Sequence, residues 1–351
     1  MAPTKKRVDS GELKTFVIDL LSAYDVNIDH AKTMADVFCW ANLRGVDSHG
    51  VARVARYIEL FDKGDANRTP VIVDHALRPA LNMIDADFAP GAVAMTRGVD
   101  LVVDLAKTQG VGWVQVKNTV HAGAMGYYVE RLANAGMVGI VMLAGMPNMA
   151  YPGARPAAVA TSPFAVGVPA KDSAPFLLDM ATATIALGKI KQYKIRGEAL
   201  PDNAAVTADG VPTTDASLAK MPLPLGGMKG AGMSLAFELL TSVLSGVPVV
   251  SPIHAKADGA KRHRQNAVII AVDPAAFGDT EAFQMAVTET LNSIRGLTPV
   301  SPDETIGVPG DRGGAIAKTR ANTGIPLPEA TLNELASLAE AKGMNTIKTL
   351  D

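Results

Sequence analysis

The chain has 351 residues, 33 lysines and arginines against 35 aspartates and glutamates, and a formal net charge of -2. That balance gives no basic field to draw nucleic acid or an anionic membrane, so small molecules or a second copy of the chain are the expected partners. Its 48% hydrophobic and 19% charged fractions, with 32 glycines and 22 prolines, describe a globular protein and exclude fibrous or disordered classes.

The first sixteen residues are charged and lack the continuous apolar segment of a secretory signal. No later run approaches the roughly 18 apolar residues of a membrane span, so a soluble, cytoplasmic protein is expected. From Ser10 to about Lys63 the apolar positions recur at helical spacing. Leu13, Phe16, Val17, Leu20 and Leu21 form one stripe, Met34, Val37, Phe38 and Ala41 a second, and Val51, Val54, Ile58 and Phe61 a third. Three amphipathic helices therefore open the chain, with Ser48 placed to cap the third. The one cysteine, Cys39, lies in the apolar run MADVFCWANL, which excludes an internal disulfide, favours a reducing compartment and reads as a buried small hydrophobe.

After residue 70 the pattern changes. Short β-like runs (PVIVDHA, ALNMIDAD, VGWVQVKN, MVGIVMLAG, FAVGVPA, PFLLDMA, NAVIIAVD) alternate with helical segments near 91–109, 126–136, 182–195, 232–246 and 280–295. Most of these runs are too apolar to face water, which predicts a mixed α/β domain whose sheet is covered by helices on both faces. The Pro/Gly-rich RGLTPVSPDETIGVPGDRGG then leads to a capped amphipathic helix in PLPEATLNELASLAEAKG. The expected organisation is a helical part over 1–72, an α/β domain over 73–290, and a segment over 291–351 returning to the helices.

Several signatures are missing: G-x-G-x-x-G after a strand, the P-loop, G-x-S-x-G, and Cys/His spacing suited to zinc, so no metal is expected. Four polar clusters remain. RGVDSHGVARVARY, residues 44–57, sets His49, Arg53 and Tyr57 four apart, so on one helix they line a common face. His49 can exchange protons near neutral pH and Arg53 can grip a carboxylate with two parallel bonds; the same stretch also fits a polar helix start. In VKNTVHAGAMGYYVERL, His121 follows a strand among small residues that admit a ligand, a suitable place for a general acid/base, or for a histidine satisfied at a strand end. Asp179, in FLLDMATATIALGKI, ends a strand, where a carboxylate orients an imidazole or caps the following helix. Lys229 stands in the glycine-rich turn LPLGGMKGAGMSLAFELL, which fits an anion at a helix start or a ligand-free tight turn. The basic KADGAKRHRQN at 256–266 reads as a solvated face or a phosphate holder.

Taken in order, RGVDSHGVARVARY, HAGAMGYY, LDMATATIALGKI, DGVPTTD and LPLGGMKGAGMSLAFELLTSVLSG resemble the malate/L-lactate dehydrogenase family, which also contains ureidoglycolate and sulfolactate dehydrogenases and piperideine-2-carboxylate reductase. The likeness spans about residues 10–315. It implies a homodimeric oxidoreductase using NAD or NADP, with a non-Rossmann, mixed-sheet nicotinamide-binding domain and a helical domain built from both chain ends. It further implies that Ser48, His49, Arg53 and Tyr57 line the substrate pocket. His121 would be the acid/base, with Asp179 and His49 as its catalytic neighbours. His121, Thr161, Asp179, Met180, Ala181, Lys229, Gly310 and Asp311 would meet the cofactor. Two departures, Gly145 for serine or asparagine and ATSP (160–163) for GTNP, fall where cofactor or substrate contacts are expected. The basic KRHR at 261–264 and Arg155 are candidates for a 2′-phosphate, without deciding between NAD and NADP.

The implied reaction moves a hydride between nicotinamide and C2 of a small 2-hydroxy or 2-oxo acid resembling malate, lactate, sulfolactate or ureidoglycolate. It needs a cation for the carboxylate, a base for the hydroxyl proton and an oriented cofactor. The retained HxGxxGYY form favours this couple over reduction of a C=N bond at C2, the alternative within enzymes. A non-catalytic carboxylate-binding protein is the alternative outside them.

Overall fold

A computed structural model describes residues 5–261 and 263–350. In chain order the strands and helices are β1 (Lys5–Val8), α1 (Ser10–Ala23), α2 (Ile28–Leu43), α3 (Val54–Asp62), β2 (Val73–Arg78), β3 (Leu81–Asp85), α4 (Gly91–Gln109) and β4 (Val111–Thr119). Then come α5 (Met125–Asn134), β5 (Val138–Ala144), β6 (Pro163–Val168), β7 (Phe176–Ala181), α6 (Leu187–Arg196), β8 (Ala205–Val206), β9 (Pro212–Thr213) and β10 (Met221–Pro222). The chain closes with α7 (Met228–Glu238), α8 (Val250–His254), β11 (Gln265–Val272), α9 (Thr280–Arg295), α10 (Asp311–Thr323), β12 (Ile325–Pro328) and α11 (Glu329–Glu340).

The three apolar stripes of the opening segment are buried. Asp9 caps α1 by accepting from the Gly11 and Glu12 N–H groups, and Asn27 caps α2 through Asp29. Cys39 is buried in α2, and burial pushes its thiol up to about 12, which leaves it inert. The C-terminal segment packs here: β12 pairs antiparallel with β1, and Arg320 of α10 binds Asp47 at 2.6 Å.

Seven strands form one sheet in the order β2-β3-β4-β11-β5-β6-β7, with β3 and β4 parallel and every other neighbouring pair antiparallel. α4 is the crossover between the parallel pair. It packs with α5 on one face, joined to α2 in the main core. On the other face α7 and the π-helical turn after it (Leu239–Val243) meet Met142 and Val268 through Phe237. Coverage on both faces is as expected for the central strands. The edge strand β2 departs from it, being exposed along its whole length and carrying the charged Asp74 and Arg78, which suit an unpaired edge. A three-stranded sheet, β10-β8-β9, with its own small core, lies beyond the sequence expectations. The helix expected over 182–195 begins at Leu187, since β7 runs to Ala181 and a loop intervenes. Among the described residues no helix is long and apolar enough to cross a membrane.

Candidate active site

The expected helix from about residue 50 is two short 3-10 turns, Asp47–His49 and Val51–Arg53, with α3 starting only at Val54. Ser48 is not the cap. Its hydroxyl lies 3.0 Å from His49 Nδ1, while the Val51 N–H donates to Asn42 Oδ1 at 2.8 Å. Asn42 is buried and its amide nitrogen donates to Asp47, so a side chain from the preceding helix takes the capping position from the local serine. Gly50 makes this possible, because a Cβ there would collide with the Asn42 amide. His49, Arg53 and Tyr57 thus converge without sharing one helical face.

Tyr57 is buried against Phe38, and its hydroxyl donates to the carbonyl of His121. It also lies 3.4 Å from His121 Nδ1, which the Gly123 N–H approaches at 3.3 Å. Because the tyrosine proton is committed to the carbonyl, Nδ1 faces one donor, Gly123, and one lone pair, that of Tyr57. The ring can therefore hold its proton on either nitrogen. His49 stacks on His121 with centroids 5.4 Å apart and planes at 24°. Loss of water lowers both histidines, and the Arg53 charge lowers them further: His49 to about 4, His121 well below its ordinary value. Both rings are neutral at physiological pH.

Arg53 anchors its Nε on the Ser48 carbonyl at 2.7 Å, and among the described residues no carboxylate pairs with it. Enclosure by protein lowers its pKa, the mark of a guanidinium without its countercharge. Arg53, Tyr57 and His121 line one cavity of about 200 Å³, small against the roughly 300–1,000 Å³ of sites for drug-sized ligands. Among the described residues no Asp or Glu lines it, although the Asp65 carboxylate stands 3.6 Å from Nε2 of His263 at its rim. Arg56, Asn148, His263 and Gln265 also line it; sequence reasoning gave none of the four a role toward the substrate, although Arg56 lies in the first motif and His263 and Gln265 in the basic stretch 256–266, read as a solvated face or a phosphate holder.

Asp179 on β7 accepts from the Gly126 N–H at the start of α5, at 2.7 Å. It keeps an accessible face although protein crowds it, as a group on the floor of an open cleft would. Loss of water raises its pKa, opposed by the Gly126 bond and by Arg44. Among the described residues no hydrogen bond joins Asp179 to His121; the contacts that orient the imidazole are those of Tyr57 and Gly123. Gly310 sits beside Asp179's strand, since the Leu177 N–H donates to Pro309 and Arg44 donates to the Gly310 carbonyl at 3.1 Å. The Asp311 carboxylate is committed to Arg295, at 2.7 and 2.9 Å, so it holds the loop rather than facing the cleft with a free charge.

Met180 and Ala181 continue β7, paired with Phe164 and Pro163. Thr161 ties this edge to the cavity: its N–H donates to Asn148 Oδ1 at 2.8 Å and its carbonyl receives the Thr182 N–H. Lys229 is exposed and without an ion pair among the described residues, at an α7 start that has no side-chain cap. The Thr182 hydroxyl is buried without a partner. Of the KRHR stretch, Lys261 and Arg264 stand over the Phe88 ring, His263 opens into the cavity, and Arg262 lies outside the described residues.

A family model for malate/L-lactate dehydrogenase matches residues 8–336. The L-sulfolactate dehydrogenase of Methanocaldococcus jannaschii is 34% identical over 334 residues, covering 95% of this chain and 96% of that protein. The NAD(+) ureidoglycolate dehydrogenase of Escherichia coli K12 is 32% identical over 283 residues, covering 80% and 81%. The solved malate dehydrogenase of Pyrococcus horikoshii superposes with a TM-score of 0.88 at 30% identity, covering 98% of this chain and 97% of that one.

Proposed function

Because the chain belongs to the malate/L-lactate dehydrogenase family, we propose that it is a nicotinamide-dependent 2-hydroxy acid dehydrogenase working in the cavity between Arg53 and His121. The observation that carries this reading is the Arg53 guanidinium, enclosed without a carboxylate and sharing a cavity with a neutral imidazole. Such a cation recognises a carboxylate through two parallel bonds. The imidazole then faces the oxygen on the adjacent carbon.

In the oxidative direction His121 Nε2 accepts the hydroxyl proton while Nδ1–H leans on the Tyr57 oxygen; in reduction the ring returns the proton to the nascent alkoxide. Ser48 and His49, expected to line the pocket, are not among the residues that line the cavity; His49 stacks on the His121 imidazole from behind, with the Ser48 hydroxyl at its Nδ1. A bound nicotinamide supplies or accepts the hydride. The residues present fit such a group: an accessible Asp179 carboxylate, an unpartnered Thr182 hydroxyl, and Lys229 at an uncapped helix start. Lys229, Thr161, Asp179–Ala181 and the Gly310 loop would hold it, His121 lying at the reacting end, on the seven-stranded unit rather than on the terminal helical part. The reading includes NAD or NADP as cofactor and a homodimer, supported by Leu235 in α7 and Leu239, Leu240, Val243 and Leu244 in the turns after it, exposed at helical spacing.

The test is absorbance at 340 nm with NADH and NADPH in parallel against a panel of 2-oxo acids, each with and without methylamine. Oxidation with a keto acid alone supports the dehydrogenase, and His121→Ala should then lower kcat by about 10²- to 10⁴-fold. Oxidation only with amine present would replace it with reduction of a C=N bond, and a silent panel without cofactor binding would leave a carboxylate-binding protein. Sedimentation velocity tests the dimer.

A further inference from the structure

A second cavity, of about 360 Å³, opens between the turn after β3, which carries Phe88, and the stretch 261–264 that leads into β11. Asp65, Phe88, Lys261, His263 and Arg264 line it, and His263 is the one lining residue it shares with the catalytic cavity. It lies away from the residues proposed for the nicotinamide. Thr161, Asp179–Ala181 and Lys229 gather at β6, β7 and the start of α7, toward the other edge of the seven-stranded sheet.

Two like charges converge here. Lys261 Nζ and the Arg264 guanidinium stand over the same Phe88 ring, at 5.9 and 5.5 Å. Among the described residues neither has a carboxylate in ion-pair contact, because the acids nearby are engaged elsewhere. Asp65 faces His263 at 3.6 Å, Asp85 is held by Lys117 at 3.3 Å and by Asn118 at 3.0 Å, and Asp87 accepts from Asn67 and from the Val71 N–H. Of the charged side chains lining the cavity, Lys261 and Arg264 against Asp65 leave one positive charge, before any on His263. Arg264 Nε is buried with no acceptor, and loss of water lowers the pKa of that guanidinium against the pull of Asp85. The ring beneath them is also placed at a cost. Asp87 and Phe88 both take left-handed backbone, φ 50° and 57°, fixed by the Phe88 N–H on the Asn118 carbonyl and the Asn67 N–H on the Phe88 carbonyl.

We propose that Lys261 and Arg264, over Phe88, form a binding site for a phosphomonoester, separate from the catalytic cavity. The guanidinium offers two parallel N–H bonds and the ammonium a compact charge beside them, a pair that matches the several oxygens of a phosphate dianion better than the two of a carboxylate. The Asp65 carboxylate, which only accepts, suits a hydroxyl on the organic part of such an ester and not its oxyanion. The same chemistry could come from a free ester or from the 2′-phosphate of NADP, and the place of the cavity, away from β6 and β7, favours the free ester. The site does not depend on the dehydrogenase reading.

The test is calorimetric titration of glycerol 3-phosphate, inorganic phosphate and acetate into wild type, Lys261→Gln and Arg264→Gln, at ionic strength held constant with chloride. Arg53→Gln serves as the control for the catalytic cavity. Wild type should bind glycerol 3-phosphate at least about tenfold tighter than acetate, and each of the Lys261 and Arg264 variants should weaken it by about 10- to 100-fold. Arg53→Gln should leave it within about twofold of wild type. Lys261 is exposed, so its variant keeps the fold even where Arg264→Gln does not. Fluorescence titrations with NADH and NADPH separate the two sources. Weakening of NADPH alone in Lys261→Gln assigns the phosphate to the cofactor, and NADPH binding unmoved beside lost glycerol 3-phosphate assigns it to a free ester. No heat from either phosphate at about 10 mM, or binding that Arg53→Gln removes and Lys261→Gln keeps, overturns the site and leaves the dehydrogenase standing.

Discussion

Replacing Arg53 by methionine separates what this residue does for catalysis from what it costs the fold. Two charge-assisted bonds to a substrate carboxylate are each worth about 1.5–3 kcal/mol, so their loss should lower kcat/KM by about 10²- to 10⁴-fold. Stability should move the other way. The variant gives up one bond, Nε to the Ser48 carbonyl, worth about 1 kcal/mol, but it removes an enclosed charge with no carboxylate partner and its repulsion with Arg56. Methionine keeps most of the apolar stem. The balance predicts a Tm no lower than wild type at pH 7, rising by about 2 °C for each kcal/mol regained. Arg53 also depresses His49 and His121, so its removal brings their folded pKa values closer to the unfolded one. Less stability is then lost to protonation of the unfolded chain, and the Tm advantage should widen as pH falls from 6.5 toward 4. Calorimetry across that range, with the 340 nm assay at each pH, checks both halves. A variant that melts lower at every pH, or keeps kcat/KM within tenfold, would refute the account.

Tyr57→Phe removes both the donor to the His121 carbonyl and the oxygen facing Nδ1; kcat should fall about tenfold and the acid limb of its pH profile should move, with KM little changed. His49, at about 4 when folded and near 6.5 when unfolded, binds its proton first in the unfolded state. Stability is therefore lost as pH falls through that window, by at most about 3 kcal/mol for a half-buried ring. His49→Asn should flatten the corresponding part of the Tm-against-pH curve, and an unchanged slope would remove His49 as its source. Gly126→Ala would bring a Cβ to 2.7 Å from the Trp40 ring and 3.1 Å from the Asp179 carboxylate. It should cost about 1–3 kcal/mol in thermal unfolding and weaken nicotinamide binding in a fluorescence titration.

The helices were legible because their apolar stripes are local and periodic: every stripe residue named from Leu13 to Phe61 is buried. The central strands were legible for the same reason, β11 being buried along most of its length between two neighbours. What failed was a competition that local spacing does not encode. Ser48 has the right chemistry to cap a helix, but Asn42, fixed in the core by α2, reaches the Val51 N–H first, and the chain enters α3 through two 3-10 turns. The three-stranded sheet escaped notice because strands of two residues carry no period to read.

The site divides along the same line. Arg53, Tyr57 and His121 sit in two short motifs whose composition already states their chemistry, whereas the Arg56–His263 approach joins segments 207 residues apart and has no local signature. The electrostatics of the motif residues also depend on the fold. Two neutral histidines stacked beside an unpaired guanidinium form an arrangement that lacks one negative charge. On the proposed reading a substrate carboxylate would supply it and offset the Arg53 part of the field on His121, while burial, the larger cause of its lowered pKa, would remain. A bound carboxylate should therefore raise the His121 pKa only by the share that Arg53 takes away, so the ring should stay a weak base in the empty cavity and become a stronger one with the acid in place.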